Sequence, residues 1–307
     1  MKNLRNVRFE PPQQVFPSVE WAHHALWTGV RAALKSLPAY FRSETFIEGI
    51  SAIDIFTLNS ALGATIENQV VDALNAIRSV WDVNGRYGTY VFQRQPQSFP
   101  DVVLKNLANE NETPLMGIEL KGWYLLAKEG EPSLRFTQTE AACADADMIM
   151  VVPWALSSVI SGRPRIYEPY IESAKYAARY RNLHWRAMRG EGDDAQIVVP
   201  AIATPYPKKS DATTDYPKSD RRGNFGRIAR TGMMDEYLDL MRKHPVCGIK
   251  AAYWLEFFKI FHQDSTDSDI QEALIRLRTK AESVDDSPAR RKLLDIILAF
   301  ETLVETK

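Results

Sequence analysis

The sequence predicts an α/β protein built on a mixed sheet, and three observations carry that prediction. Apolar residues fall at helical intervals over 18–39 and 53–81, the period changes to two over 87–126, and an unbroken apolar run fills 148–154. The resulting order is helix, three-stranded meander, helix, strand, with further helices flanking that core. Hydrophobic residues make up 45% and charged residues 25% of the 307, so the chain can bury a substantial core and is neither disordered nor coiled-coil in composition.

Taken in order, the first helix carries Trp21, Ala25, Leu26, Val30, Ala33 and Leu34 on one stripe and is expected to stop before Pro38. The second lines up Leu58, Leu62, Ile66, Val70, Leu74, Ile77 and Trp81, with a break expected near Gly63 and with Glu67, Asp72 and Arg78 on its far face. YGTYVFQ, PDVVLKN and PLMGIELKGWYLL then read as three consecutive strands separated by Pro, Asn and Gly. The alanine-rich stretch 136–146 predicts a short helix, and MIMVVPW a strand buried on both faces. Further on, 167–189 reads as a helix, QIVVPAIA as one more buried strand, 205–230 as a polar loop, and 233–242, 249–261, 269–282 and 288–305 as helices. The organisation expected is an N-terminal helical segment (1–50), a core (51–160) and a basic segment followed by C-terminal helices (161–307), packed as one domain.

Several classes drop out. MKNLRNVRFEPPQQ has no apolar run of secretory type, and the longest apolar stretch, 148–160, contains Pro153 and two serines. The expectation is therefore a cytoplasmic protein without a membrane partner. Cys143 and Cys247 stand far apart without any Cys/His grouping, and are expected to be buried, reduced thiols. The net charge of −1 conceals an asymmetry: Lys and Arg outnumber Asp and Glu by 14 to 8 over 163–230, whereas acids lead by 10 to 7 over 264–307.

The chemistry concentrates in Pro100-Asp101 and, after 17 intervening positions, Glu119-Leu120-Lys121. Side chains two apart on a strand leave the same face, so Glu119 and Lys121 project together while Leu120 enters the apolar layer. An antiparallel strand opened by Pro100 lays Asp101 beside Glu119, giving two carboxylates and an ammonium within a few ångströms. Two hard oxygen ligands suit Mg²⁺, and phosphodiester hydrolysis calls for a cation, an activated water and a positioned ammonium. Glu67, in GATIE on the second helix, is a candidate outer acid. The bland alternative makes Glu119 and Lys121 an exposed ion pair, with Asp101 merely following a turn.

SFPDVVL, GIELKGW and the helix-borne Glu67 resemble the PD-(D/E)XK nuclease superfamily, and within it the type II restriction endonucleases, over about 61–154. The resemblance implies a restriction-endonuclease-like core and Mg²⁺-dependent cleavage of double-stranded DNA, with Asp101 and Glu119 as metal ligands and Lys121 as the catalytic lysine. Candidate DNA contacts lie in the basic segment. Lys175, Arg179 and Arg186 stand at helical intervals among tyrosines and a tryptophan, and Arg221, Arg222 and Arg227 sit in the polar loop. Cutting both strands of a palindrome predicts a homodimer. The alternatives are a structure-specific repair or recombination nuclease, and a non-catalytic DNA-binding protein on the same fold.

Overall fold

In the computed structural model of the protein, residues 10–52, 54–95, 98–109, 111–190, 192–220, 224–261, 265–282 and 288–305 are described. α1 (His24–Tyr40) buries Leu26, Trp27, Val30, Ala33, Leu34 and Leu37. It includes Pro38 instead of stopping before it, since a proline in the last turn still leaves Leu37 O free to accept the Phe41 amide. A single 3-10 turn (Ile55–Thr57) leads into α2 (Leu58–Ala76), and α3 (Arg78–Trp81) follows after a break at Ile77. α2 runs through Gly63 without the expected break. Burying Ile66, Val70 and Leu74 is worth roughly 1.5–3 kcal/mol each, which outweighs the ~1 kcal/mol helix cost of one glycine.

Strands β1 (Tyr90–Arg94), β2 (Val102–Asn106) and β3 (Met116–Tyr124) form the expected antiparallel meander, and β4 (Met148–Leu156) lies parallel to β3 with all nine residues buried. The sheet is mixed and curled, and helices flank it. Two short strands that the sequence did not announce share the outer edge of β4 end to end. β6 (Tyr170–Ser173) pairs with its first half, and β5 (Pro164–Ile166) with its second. The helix predicted over 167–189 therefore begins as a strand, and α4 proper is Ala174–Arg189, started by the Ser173 hydroxyl accepting the Tyr176 amide at 3.2 Å.

The helix expected over 136–146 is only a 3-10 turn at Glu140–Ala142. Its backbone is claimed elsewhere: Phe136 N–H donates to Gly226 O, Thr139 N–H to Thr213 O, and Arg181 takes the carbonyls of Phe136 and Gln138. The partner in the first two bonds is the segment 205–230, whose described residues (205–220 and 224–230) form a strap over this stretch rather than a free loop. A buried Arg181–Asp215 pair fixes it from α4, and Tyr206 fixes it from below by donating to Asp147 Oδ1 at 3.0 Å.

The buried strand read from QIVVPAIA shrinks to β7 (Ile197–Val198), paired with β8 (Tyr216–Pro217) at the surface, and Ile202 is 84% exposed. α5 (Asp235–Lys243), the β9 (Pro245–Val246) and β10 (Ile249–Lys250) hairpin, α6 (Ala251–Phe258), α7 (Asp267–Glu282) and α8 (Pro288–Glu305) complete the chain. The aromatic residues of α6, Tyr253, Trp254, Phe257 and Phe258, are buried. Cys143 is buried, but Cys247 is exposed, at a turn where its φ is +50°. One hydrophobic cluster takes in residues from Leu26 to Ile297. Among the described residues no helix is long and apolar enough to cross a membrane.

Candidate active site

β2 and β3 part company early. The last paired residues are Val102 and Ile118, while β3 continues to Tyr124, still parallel to β4 on its other side. On the side facing the gap, three alternate amides of β3 lack a strand partner, and side chains take that place. Leu120 N–H donates to Asp101 Oδ2 at 3.0 Å, Gly122 N–H to Glu67 Oε1 at 2.9 Å, and Tyr124 N–H to Asn59 Oδ1 at 2.8 Å. A buried amide without a partner costs about 1–3 kcal/mol, so these carboxylates have a structural task whatever else they do.

Two glycines let the parts approach. A Cβ on Gly122 would lie 3.4 Å from Gly63 O, so α2 crosses β3 closely enough for Glu67 to reach the gap. A Cβ on Gly117 would come within 2.1 Å of Pro100 Cγ, so only glycine allows the entry to β2 to lie against β3. Asp101 is thereby placed one step beyond the Val102–Ile118 pair, level with Glu119.

The electrostatics are those of a crowded acid pair. Burial, and then the neighbouring Asp101 carboxylate, push Glu119 up to about 8, against a stabilising hydrogen bond from the Asp101 amide. Asp101 is also raised, first by burial, while the Leu120 amide works against the shift; Glu67 adds to it, and Arg94 and Lys121 oppose it. Glu119 and Lys121 are both half-buried, with Leu120 between them buried, as alternation predicts. Neither forms a salt bridge among the described residues, so the simple surface ion pair is not what holds them. Glu67 is buried, contrary to its expected place on the exposed face of α2, and pairs with Arg94 at 3.5 Å.

Asp101 and Glu119 open into a cleft of about 330 Å³ whose other walls are Ser98, Phe99, Gln138 and the strap, including Lys208, Lys209 and Asp211. Of the residues named from the sequence, Asp101 and Glu119 line this cleft, while Lys121 and Glu67 lie outside its lining but near enough to act on the two carboxyls through charge; Arg94, Lys208 and Lys209 were not anticipated. Arg94 has no motif around it. Its signal was its place at the end of β1, opposite Val102.

The basic residues named from the sequence are dispersed. Lys175 pairs with Asp145 and Arg179 with Glu140, both across to the segment that enters β4. Arg186 is exposed on α4. Arg227 lines a different cleft, of about 370 Å³, with Arg135, Arg230 and Glu131. Arg221 and Arg222 lie outside the described residues.

Among the described residues, no group of three or more His, Cys, Asp and Glu side chains forms a metal-binding cluster. What the gap offers is two buried carboxyls, of which Glu119 is pushed up to about 8 first by burial and then by repulsion from Asp101. Two is the number of protein carboxylates a Mg²⁺ site commonly uses, and a divalent cation relieves that kind of repulsion. No family model matches this chain, and no curated protein matches it in sequence.

Proposed function

We propose that the protein hydrolyses DNA phosphodiester bonds with Mg²⁺ at Asp101, Glu119 and Lys121, as an endonuclease of the PD-(D/E)XK kind on a restriction-endonuclease-like core. The observation that carries this reading is the closeness of Asp101, Glu119 and Lys121 where β2 and β3 separate, with both carboxyls raised first by burial and Glu119 raised further by Asp101. The antiparallel meander joined in parallel to β4 is the sheet such a core requires, although the segment entering β4 supplies a 3-10 turn in place of a helix.

Asp101 and Glu119 are the residues that would hold Mg²⁺, which supplies positive charge against the charge developing on the scissile phosphate. Lys121, beside them on β3, orients the attacking water and offsets the same charge. Glu67 keeps Gly122 and Arg94 in place. Lys208 and Lys209, beside Asp211 in the cleft wall, bring positive charge suited to the DNA backbone. Sequence-specific cutting by a type II homodimer is the form of the activity we favour.

The test is incubation of purified protein with plasmid DNA, with Mg²⁺ and then with EDTA. Discrete fragments that vanish with EDTA support the proposal, whereas smearing or branch-dependent nicking points to a repair nuclease. Lys121→Ala should abolish cleavage and leave DNA affinity largely intact, since its ammonium acts on charge that develops in the transition state rather than on ground-state binding. Cleavage by that variant at the wild-type rate would remove Lys121 from the reaction.

A further inference from the structure

A second cavity, of about 800 Å³, lies between β6, α4 and the start of α5, away from the acid pair. Its lining is unusual in chemistry rather than size. Tyr170 and Glu172 come from one face of β6, Tyr176 and Tyr180 from successive turns of α4, and Glu236 and Tyr237 from α5. Glu10 also lines it, and no lysine or arginine is among the described lining residues.

The rings are braced. Tyr170 and Tyr237 sit 5.3 Å apart between centroids, and Tyr176 and Tyr180 6.0 Å. Tyr237 spends its hydroxyl on Glu168 O at 2.7 Å, which fixes the ring at the wall of the cavity. Among the described residues Glu172 accepts from the Ser173 amide and from the Gln14 side chain at 3.2 Å, and the Arg31 guanidinium acts on it more weakly through charge. An aromatic face attracts cations through its quadrupole, and it does so best where water is displaced. Carboxylates at the same wall add charge attraction and repel phosphate, so the pocket does not belong to a DNA surface. A small hydrated metal ion gains little from aromatic rings, and among the described residues these carboxylates do not form a metal cluster. A weakly hydrated organic cation gains from both.

We propose that this pocket binds a small organic cation of the alkylammonium class, held by tyrosine faces and neutralised by Glu172 and Glu236. The experiment is calorimetric titration of the full chain with choline, and with 3,3-dimethylbutan-1-ol as its uncharged isostere. Choline should bind saturably, with the alcohol at least ~10-fold weaker, since a cation–π contact in a desolvated site is worth up to about 2 kcal/mol. Tyr180→Leu should weaken choline binding about 5- to 30-fold while Tyr180→Phe stays within about 2-fold, because phenylalanine keeps the ring face. Glu236 is exposed, so Glu236→Gln should leave the fold intact and still weaken choline binding. Equal binding of choline and the alcohol, or no saturable choline binding up to roughly 10 mM, would overturn the assignment. So would Tyr180→Phe losing as much as Tyr180→Leu.

Discussion

Replacing Glu119 with glutamine removes a charge that the fold holds at a cost. Its carboxyl is raised from an ordinary 4.5 to about 8 by burial and by Asp101. Between those two values the folded chain keeps a proton that the unfolded chain has lost, so stability must fall as pH rises through that window. The shift corresponds to at most about 5 kcal/mol at 1.36 kcal/mol per unit. Glu119→Gln is nearly isosteric, and its amide can donate to the Asp101 carboxylate. The variant should therefore match wild type near pH 4.5 and become progressively more stable, by roughly 2–5 kcal/mol above pH 8. In thermal unfolding that is several degrees, at roughly 2–4 °C per kcal/mol.

Mg²⁺ provides the complementary arm. Above pH 8 it should raise the melting temperature of wild type more than that of Glu119→Gln, because the variant has lost one of two ligands. The assay is melting temperature against pH from 4.5 to 9, with and without Mg²⁺. A variant-minus-wild-type difference that stays flat across that range would refute the acid pair, and an equal Mg²⁺ response in both proteins would refute the cation site.

Other perturbations follow from the same geometry. Gly117→Ala drives a Cβ to 2.1 Å from Pro100 Cγ and 3.0 Å from Asp147 Oδ1. It should cost about 1–3 kcal/mol and displace Asp101, so melting temperature and cleavage should fall together; a neutral outcome would mean that β2 is free to move. Arg181→Met leaves Asp215 charged, buried and unpaired, and should destabilise by about 3–5 kcal/mol. Adding Asp215→Asn should recover part of that loss in urea denaturation. Simple additivity of the two would show that the pair is not coupled.

The strands of the core were legible because YVFQ and GIELK alternate in side-chain character, as a half-covered sheet imposes, and VVL is a branched apolar run, each bounded by turn residues. The acid pair was legible for the same reason. Glu119 and Lys121 share a face by spacing alone, and a meander sets Asp101 opposite. β5 and β6 were not legible, since three- and four-residue strands carry too few positions for a period, and Tyr170–Ser173 runs straight into a helical pattern. The segment 136–146 misled through composition: its alanines favour a helix, but the strap and Arg181 occupy the groups a helix needs. Glu67 was misplaced because a polar residue on an amphipathic helix is ordinarily turned to water. Here it turns inward to meet an amide that no sequence pattern advertises.

The gap beside β3 has a bearing on solubility. An unsatisfied row of amides along a strand is a template on which another chain can add itself, and proteins protect such rows. Asn59, Glu67 and Asp101 occupy every second amide along this one, and two of the three bring negative charge. The side chains that mark the site therefore also deny its border to intruding strands, and a chain stripped of them would be prone to self-association before its chemistry could be measured.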